Sequence, residues 1–177
     1  LIATAGTAPS GANKQPWRFV AVRDPELKHQ IRIAAEKEEQ EFYEHRASPE
    51  YLRDLAPLGT NHEKAYLDVV PWVVVVFKLV KDPTPCARTN ASDQVYYINE
   101  SVGIAVGMFL SAAHNAGLAT LTHTPNPMRF LTSLLRRPDY ERPYVIIPVG
   151  YPVKECMIPD IKRKPLDEIT VIDRPEH

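Results

Sequence analysis

"WVVVVFKLV", residues 72–80, decides how this chain is built. Four consecutive valines and a single charge, Lys78, leave almost no polar alternation in it. β-Branched side chains are stiff about χ1 and favour extended backbone. An unbroken apolar run of this length reads as a strand covered on both faces rather than one.

Such a strand needs partners and covering layers, and the flanking sequence offers both. "WRFVAV" (17–22) reads as a strand between Pro16 and Asp24-Pro25, and "PYVIIPVGY" (143–151) as another. "LATLTH" (118–123) reads as a further strand. Helical periodicity runs from Pro25 to about Arg46, with Leu27, Ile31, Ala34 or Ala35, and Phe42 near one face and Arg32, Glu36, Glu39 and Tyr43 on a neighbouring polar stripe. A long helix is expected over about 94–115, ending near Gly117, and a short one over about 127–136. Thr60-x-x-Glu63 has the spacing of a capping box, which predicts a helix from there to about Val69, halted by Pro71. Between these, 46–60 carries Ser48-Pro49, Pro57 and Gly59 and leaves its helix content open, and 81–93 is a polar, proline-containing connection. The tail "IKRKPLDEITVID" (161–173) is basic and then extended. Irregular alternation of long helices and short apolar strands gives an α+β fold, a central mixed sheet covered by helices, in a single domain over 1–177.

Composition narrows the function classes. The chain has 177 residues, 44% hydrophobic and 24% charged, so it can bury a core. A net charge of −1 gives no overall attraction to nucleic acid. Seventeen prolines imply many rigid loops. Cys86 and Cys156 form no C-x-x-C pair and no disulfide framework, so free thiols and a cytoplasmic setting are expected. Histidines at 29, 45, 62, 114, 123 and 177 make none of the usual metal spacings, so no metal is expected. No stretch is a convincing membrane span: 69–77 is short and contains Pro71, and 101–113 has the length of a buried core helix. "LIATAG" at the start reads as the end of a helix begun upstream, where any targeting segment would lie.

Four places hold groups suited to chemistry. In "GTAPSGANKQPW" (6–17) the glycines stand five apart, as in a triphosphate loop, but Ala12 and Asn13 occupy the places of the lysine and hydroxyl, which excludes that reading. What remains is a loop in which Ser10 and the amides around Gly11 can meet an anion, or an ordinary turn. Thr122 and Thr124 alternate to one face at the end of a strand, where α/β-type sheets collect ligands, while His123 points the other way. Arg163 in "KRKP" (162–165) can grip a phosphate with two parallel hydrogen bonds, or lie solvated on the surface. Glu39 and Tyr43 are neighbours at i and i+4 on one helix, and Lys64 is expected to start another. A carboxylate, a phenol and an ammonium that converge would suit a zwitterionic amino acid; apart, they are solvated helix faces.

Together, "TAPSGANKQPWRFVAV", "TN-x-x-K-x-YLD", "YY-x-NES" and "PVGYP…PD-x-KRKPLD" resemble the iodotyrosine deiodinases, a branch of the flavin-dependent nitroreductase superfamily. The likeness runs from about residue 5 to 171. It implies a nitroreductase-like fold, an intertwined homodimer, and two FMN sites at the dimer interface. Ser10 and Gly11 match flavin-loop positions, with Ala12 beside the substrate and its neighbouring amides favouring a phenolate. Thr122, His123 and Thr124 match a second flavin segment, Thr124 falling where a hydroxyl meets the flavin N5 and favours stepwise single-electron transfer. Arg163 matches a phosphate-side arginine. Glu39, Tyr43 and Lys64 match a substrate-zwitterion triad on a lid that orders over bound substrate. The chain departs from the family pattern in three ways. The Arg-Arg-Ser phosphate anchor would precede Leu1, His123 stands where many relatives carry threonine, and Tyr51 replaces an aromatic that is often tryptophan. The implied activity is FMN-dependent conversion of 3-iodotyrosine to tyrosine and iodide, fed by an NAD(P)H-dependent donor. A general NAD(P)H-dependent nitroreductase and a non-catalytic flavin- or halotyrosine-binding module are the alternatives.

Overall fold

The computed structural model describes residues 1–83 and 92–173; Cys86, His177 and most of the 81–93 connection lie outside them. The valine run forms strand β2 (Trp72–Leu79), flanked by β1 (Trp17–Val22) on one side and β4 (Glu141–Gly150) on the other. The sheet order is β1-β2-β4-β3, where β3 is the two-residue strand Ala119–Thr120. All three pairings are antiparallel, so the parallel part of the expected mixed sheet is not found among the described strands. The continuous apolar run is compatible with antiparallel pairing because helices cover both faces, and burial rather than strand direction dictates composition.

In register, Val75 stands opposite Val20 on β1 and Ile146 on β4. Successive β2 side chains go to opposite layers. Val74 and Val76 join Val145, Ile147, Val102, Val106 and Phe109 in one core. Val73, Val75 and Phe77 join Ile31, Ala35, Leu67, Leu131 and Ile146 in the other. The first layer is roofed by α1 (Ile2–Ala5) and α5 (Ile98–Asn115), the second by α2 (Pro25–Glu41), α4 (Tyr66–Val69) and α6 (Phe130–Leu134). A register shift between Val76 and Phe77 passes over Tyr144 of β4.

Several boundaries differ from the sequence reading, each for a local reason. The helix from Pro25 keeps α-geometry to Glu41 and then widens into a π turn over Phe42–Arg46. Part of the open segment is helical, α3 (Pro49–Leu55), capped by the Ser48 side chain accepting from the Tyr51 amide at 3.2 Å. The Thr60/Glu63 capping box does not form. Asn61 Oδ1 takes the Glu63 amide at 2.9 Å in a local turn, and the helix begins only at Tyr66, so Lys64 precedes it instead of starting it. The long helix starts at Ile98 rather than 94, after Tyr97 at φ 47°. Segment 118–123 is a strand only at Ala119–Thr120 and rejoins β4 through one bridge, His123 to Ile146. From Tyr151 the chain runs irregularly along the outside to Asp173, broken by α7 (Leu166–Ile169). No helix among the described residues is long and apolar enough to cross a membrane.

Candidate active site

Helix α2 is the ruler on which the site is laid out. Asp24 caps it by accepting from the Leu27 amide at 2.8 Å, and Pro25 takes the first turn, where its missing N–H costs nothing. Its apolar positions, Ile31 and Ala35, are fully buried. One polar row, Lys28, Arg32, Glu36, Glu39 and Tyr43, runs at steps of three and four along the neighbouring face. The first half of that row clamps the chain that follows α3. Lys28 Nζ donates to the carbonyls of Asp68 and Val70, at 3.0 and 2.6 Å, closing the end of α4. Arg32 donates to Glu36 at 2.8 Å and to Asp68 at 2.7 Å. Glu36 Oε1 also accepts the backbone amide of Lys64 at 2.7 Å.

The second half of the row faces a cavity of about 1050 Å³. Lys64 is 3% exposed, and its ammonium lies 3.3 Å from the Glu39 carboxylate while also donating to the Asn61 carbonyl. Tyr43 lines the same wall, its phenol engaged by Thr60, and burial pushes its ionisation upward, as it does for Tyr66 nearby. Phe42 stacks edge-on against both Tyr43 and Tyr51 at 5.6 Å. Across the cavity stand Thr122, His123 and Thr124. The threonines are exposed and His123 is buried, 7% exposed, the alternation expected of an extended segment. His123 holds its place by exchanging two backbone hydrogen bonds of 2.9 Å with Ile146. Its Nε2 is buried without a hydrogen-bond partner. Burial, with Lys64 nearby, holds its pKa down at about 4, so the ring is neutral near pH 7.

Six of the residues picked out from the sequence, Glu39, Tyr43, Lys64, Thr122, His123 and Thr124, therefore surround one cavity. Four do not line it. Ser10, Gly11 and Ala12 sit in a tight turn docked on the start of α5, with the Gly11 amide donating to Ser101 Oγ at 3.2 Å and the Gln15 amide to Ser10 Oγ at 2.9 Å. Ala12 lies there at φ 49°. A side chain on Gly11 would meet the Tyr96 carbonyl at 2.8 Å. Arg163 is exposed in the outer tail, although its neighbours Pro159 and Ile161 reach the cavity mouth. Sequence reading placed Arg32 and Glu36 on the polar stripe but missed their grip on Lys64 and Asp68; the i, i+4 series from Lys28 was the available signal. No cluster among the described residues has the make-up of a metal site.

A model of the nitroreductase family matches residues 1–151. Among relatives, the iodotyrosine deiodinase of Haliscomenobacter hydrossis is 50% identical over 97% of this chain and 76% of its own. Iodotyrosine deiodinase 1 of Homo sapiens is 48% identical over 97% of this chain, which spans only 58% of the human protein. An iodotyrosine deiodinase crystallised with FMN and 3-iodo-L-tyrosine superposes over 99% of this chain and 84% of its own, with a TM-score of 0.78 at 33% identity. A BluB-like flavoprotein from Clostridium difficile shares the fold at a TM-score of 0.68 and 21% identity.

Proposed function

The chain belongs to the nitroreductase family, within its iodotyrosine deiodinases, and from that premise we propose that it reduces 3-iodotyrosine to tyrosine and iodide with FMN. In the balanced reaction the C–I bond is replaced by C–H. Two electrons and one proton are consumed, the proton ending on the ring carbon, and iodide leaves with the bonding pair. No protein side chain is a reductant of that strength; FMN held in the site and reduced by an NAD(P)H-dependent donor would supply the electrons, in single-electron steps.

The buried ion pair between Lys64 and Glu39 carries this reading. Opposite charges, one buried and one largely so, on the wall of a cavity with a phenol beside them make a socket for an amino-acid zwitterion. The substrate ammonium meets Glu39, its carboxylate meets Lys64, and Tyr43 adds a hydrogen bond. Charge-assisted contacts of this kind contribute roughly 1.5–3 kcal/mol each. The π turn and α3, with exposed Tyr51, form the lid over the aromatic end. Closing it excludes water from the reacting bond.

The opposite wall suits a flavin. Thr122 and Thr124 present exposed hydroxyls to the cavity that would hold a flavin there, Thr124 as the donor to its N5, and the His123 nitrogen, unpartnered among the described residues, could accept one hydrogen bond. The Gly11 amide is taken by Ser101 Oγ in the close-packed turn, where a Cβ has no room, so the Ala12 amide is the donor that would meet a flavin or phenolate oxygen. That turn and Arg163 lie away from the cavity in the same chain, which a site shared by two copies accounts for. We therefore propose a homodimer in which each chain completes the other's site, Arg163 reaching the phosphate. The exposed tail supports it: Tyr151 is 80% exposed, Met157 92% and Ile172 81%, apolar surface that a lone chain leaves wet. The exposed thiol of Cys156 fits a reducing, cytoplasmic compartment.

The test is a purified yellow protein titrated with 3-iodo-L-tyrosine, then reduced with dithionite and assayed for iodide. Lys64→Ala and Glu39→Gln should each weaken ligand binding at least tenfold with flavin content unchanged, given the contact energies above. Equal loss of flavin in both would mean that they hold the fold and not the substrate.

A further inference from the structure

We propose that Glu36, braced by Arg32, is a positioning residue that fixes the Lys64 backbone and so sets the preference for ligands with an amino-acid end over bare halophenols. The inference rests on the zwitterion reading of Lys64 and Glu39.

Lys64 lies in an irregular stretch, 61–64, between α3 and α4. Its carbonyl accepts the Leu67 amide at 2.9 Å in the turn that leads into α4, but its own amide takes no partner from a helix or strand ladder. Its side chain is nevertheless buried and aimed at Glu39. A single carboxylate oxygen resolves this: Glu36 Oε1 accepts the Lys64 amide at 2.7 Å and Arg32 Nε at 2.8 Å. Arg32 in turn spans to Asp68 at 2.7 Å, and His29 meets the same Asp68 oxygen at 3.2 Å. Lys28 secures the far end of α4 through two carbonyls. The segment bearing Lys64 is thus tied to α2 at both ends.

The spacing along α2 makes this consequential. Glu36 and Glu39 are three apart on one helix, so the carboxylate that anchors the Lys64 backbone and the one that faces its ammonium keep a fixed separation. An ion pair loses strength quickly when one partner is free to wander, because ordering it consumes side-chain and backbone entropy. Burial opposes charge on Glu36, yet its bonds to Arg32 and the Lys64 amide outweigh that and hold its carboxyl below the usual range, so the brace is ionised at neutral pH. A ligand without ammonium and carboxylate makes no use of Lys64 and should be indifferent to the brace.

The holoenzyme carries the test, read by flavin-fluorescence titration with 3-iodo-L-tyrosine and with 2-iodophenol. Glu36→Ala should raise the Kd for 3-iodo-L-tyrosine about tenfold, the scale of one hydrogen bond to a charged acceptor. The Kd for 2-iodophenol and the flavin content should stay within twofold. Glu36→Gln keeps an oxygen for the Lys64 amide and should recover most of the affinity. Equal weakening of both ligands, or no change for 3-iodo-L-tyrosine, would overturn the proposal. If Glu36→Ala does not fold, hydrogen exchange on the wild-type holoenzyme decides. The Lys64 amide should exchange at least tenfold more slowly than those of 56–62, because its partner is a fixed carboxylate; equal rates would overturn it. Wild-type protein that binds no 3-iodo-L-tyrosine would instead refute the zwitterion reading itself.

Discussion

At the scale of single residues, His123 gives the sharpest pH prediction. Its pKa is about 4 in the folded chain against an ordinary value of 6.5. The unfolded chain therefore takes up a proton first as the medium is acidified. Stability from this group is complete above pH 6.5 and drains away as pH falls to 4, at no more than about 1.4 kcal/mol per pH unit for one proton. Urea unfolding of the flavin-free protein across that window should show the slope, and His123→Thr should flatten it. The Lys64–Glu39 pair makes a second prediction. A ligand with one charged end must open the pair yet leaves one charge without its counter-charge, which costs several kcal/mol. 3-Iodotyramine and its propionate counterpart should then bind no better than 2-iodophenol, whereas affinities midway to 3-iodo-L-tyrosine would show that the pair does not open as a unit. Glu39 and Tyr43 were legible together in the sequence, since helical spacing alone makes them neighbours. Lys64 could be joined to them only through the family resemblance, because no local spacing relates it to Glu39; the packing of the chain before α4 against α2 brings it across 25 positions.

At the scale of elements, the lid should respond to ligand and the rest of α2 should not. The π turn, α3 and the loop to Gly59 rest on edge-on aromatic contacts and exposed ion pairs such as Arg53–Glu50, whose contribution is small. Limited proteolysis should cut within 44–58 in the free enzyme and be slowed at least tenfold by saturating 3-iodo-L-tyrosine, since cleavage follows the open population. Asp24→Ala removes the cap at the opposite end of α2 and should lower stability by about 1 kcal/mol in a denaturant titration, with unaltered ligand affinity. The elements that could be read from sequence were those whose pattern is set by burial. The valine strand and the amphipathic α2 were drawn nearly to their ends. The capping box failed because a third local acceptor, Asn61, competed for the Glu63 amide. The strand at 118–123 was overdrawn because its threonines favour extended backbone whether or not a partner strand runs beside them, and β4 pairs with only a fraction of that stretch.

At the scale of the whole molecule, the two-layer cover of the sheet was legible and the fate of the tail was not. Apolar side chains from Tyr151 to Ile172 are spaced as if for burial, yet they stand exposed, with nothing among the described residues lying over them. Hydrophobic pattern says that a surface will be covered; it does not say by which chain. The same gap hid why Ser10, Gly11 and Arg163 stand apart from the cavity that Glu39 and Lys64 line. If the proposed dimer is correct, ending the chain after Tyr151 should yield a monomer by light scattering that retains less than a tenth of the flavin, because the arm proposed to join the copies would be gone. The arm has one more consequence. In the proposed dimer its apolar residues bury only when a second copy is near, so part of the folding free energy would depend on protein concentration. For such a chain dilution acts as a denaturant, and the melting temperature should climb with concentration at fixed saturation by flavin.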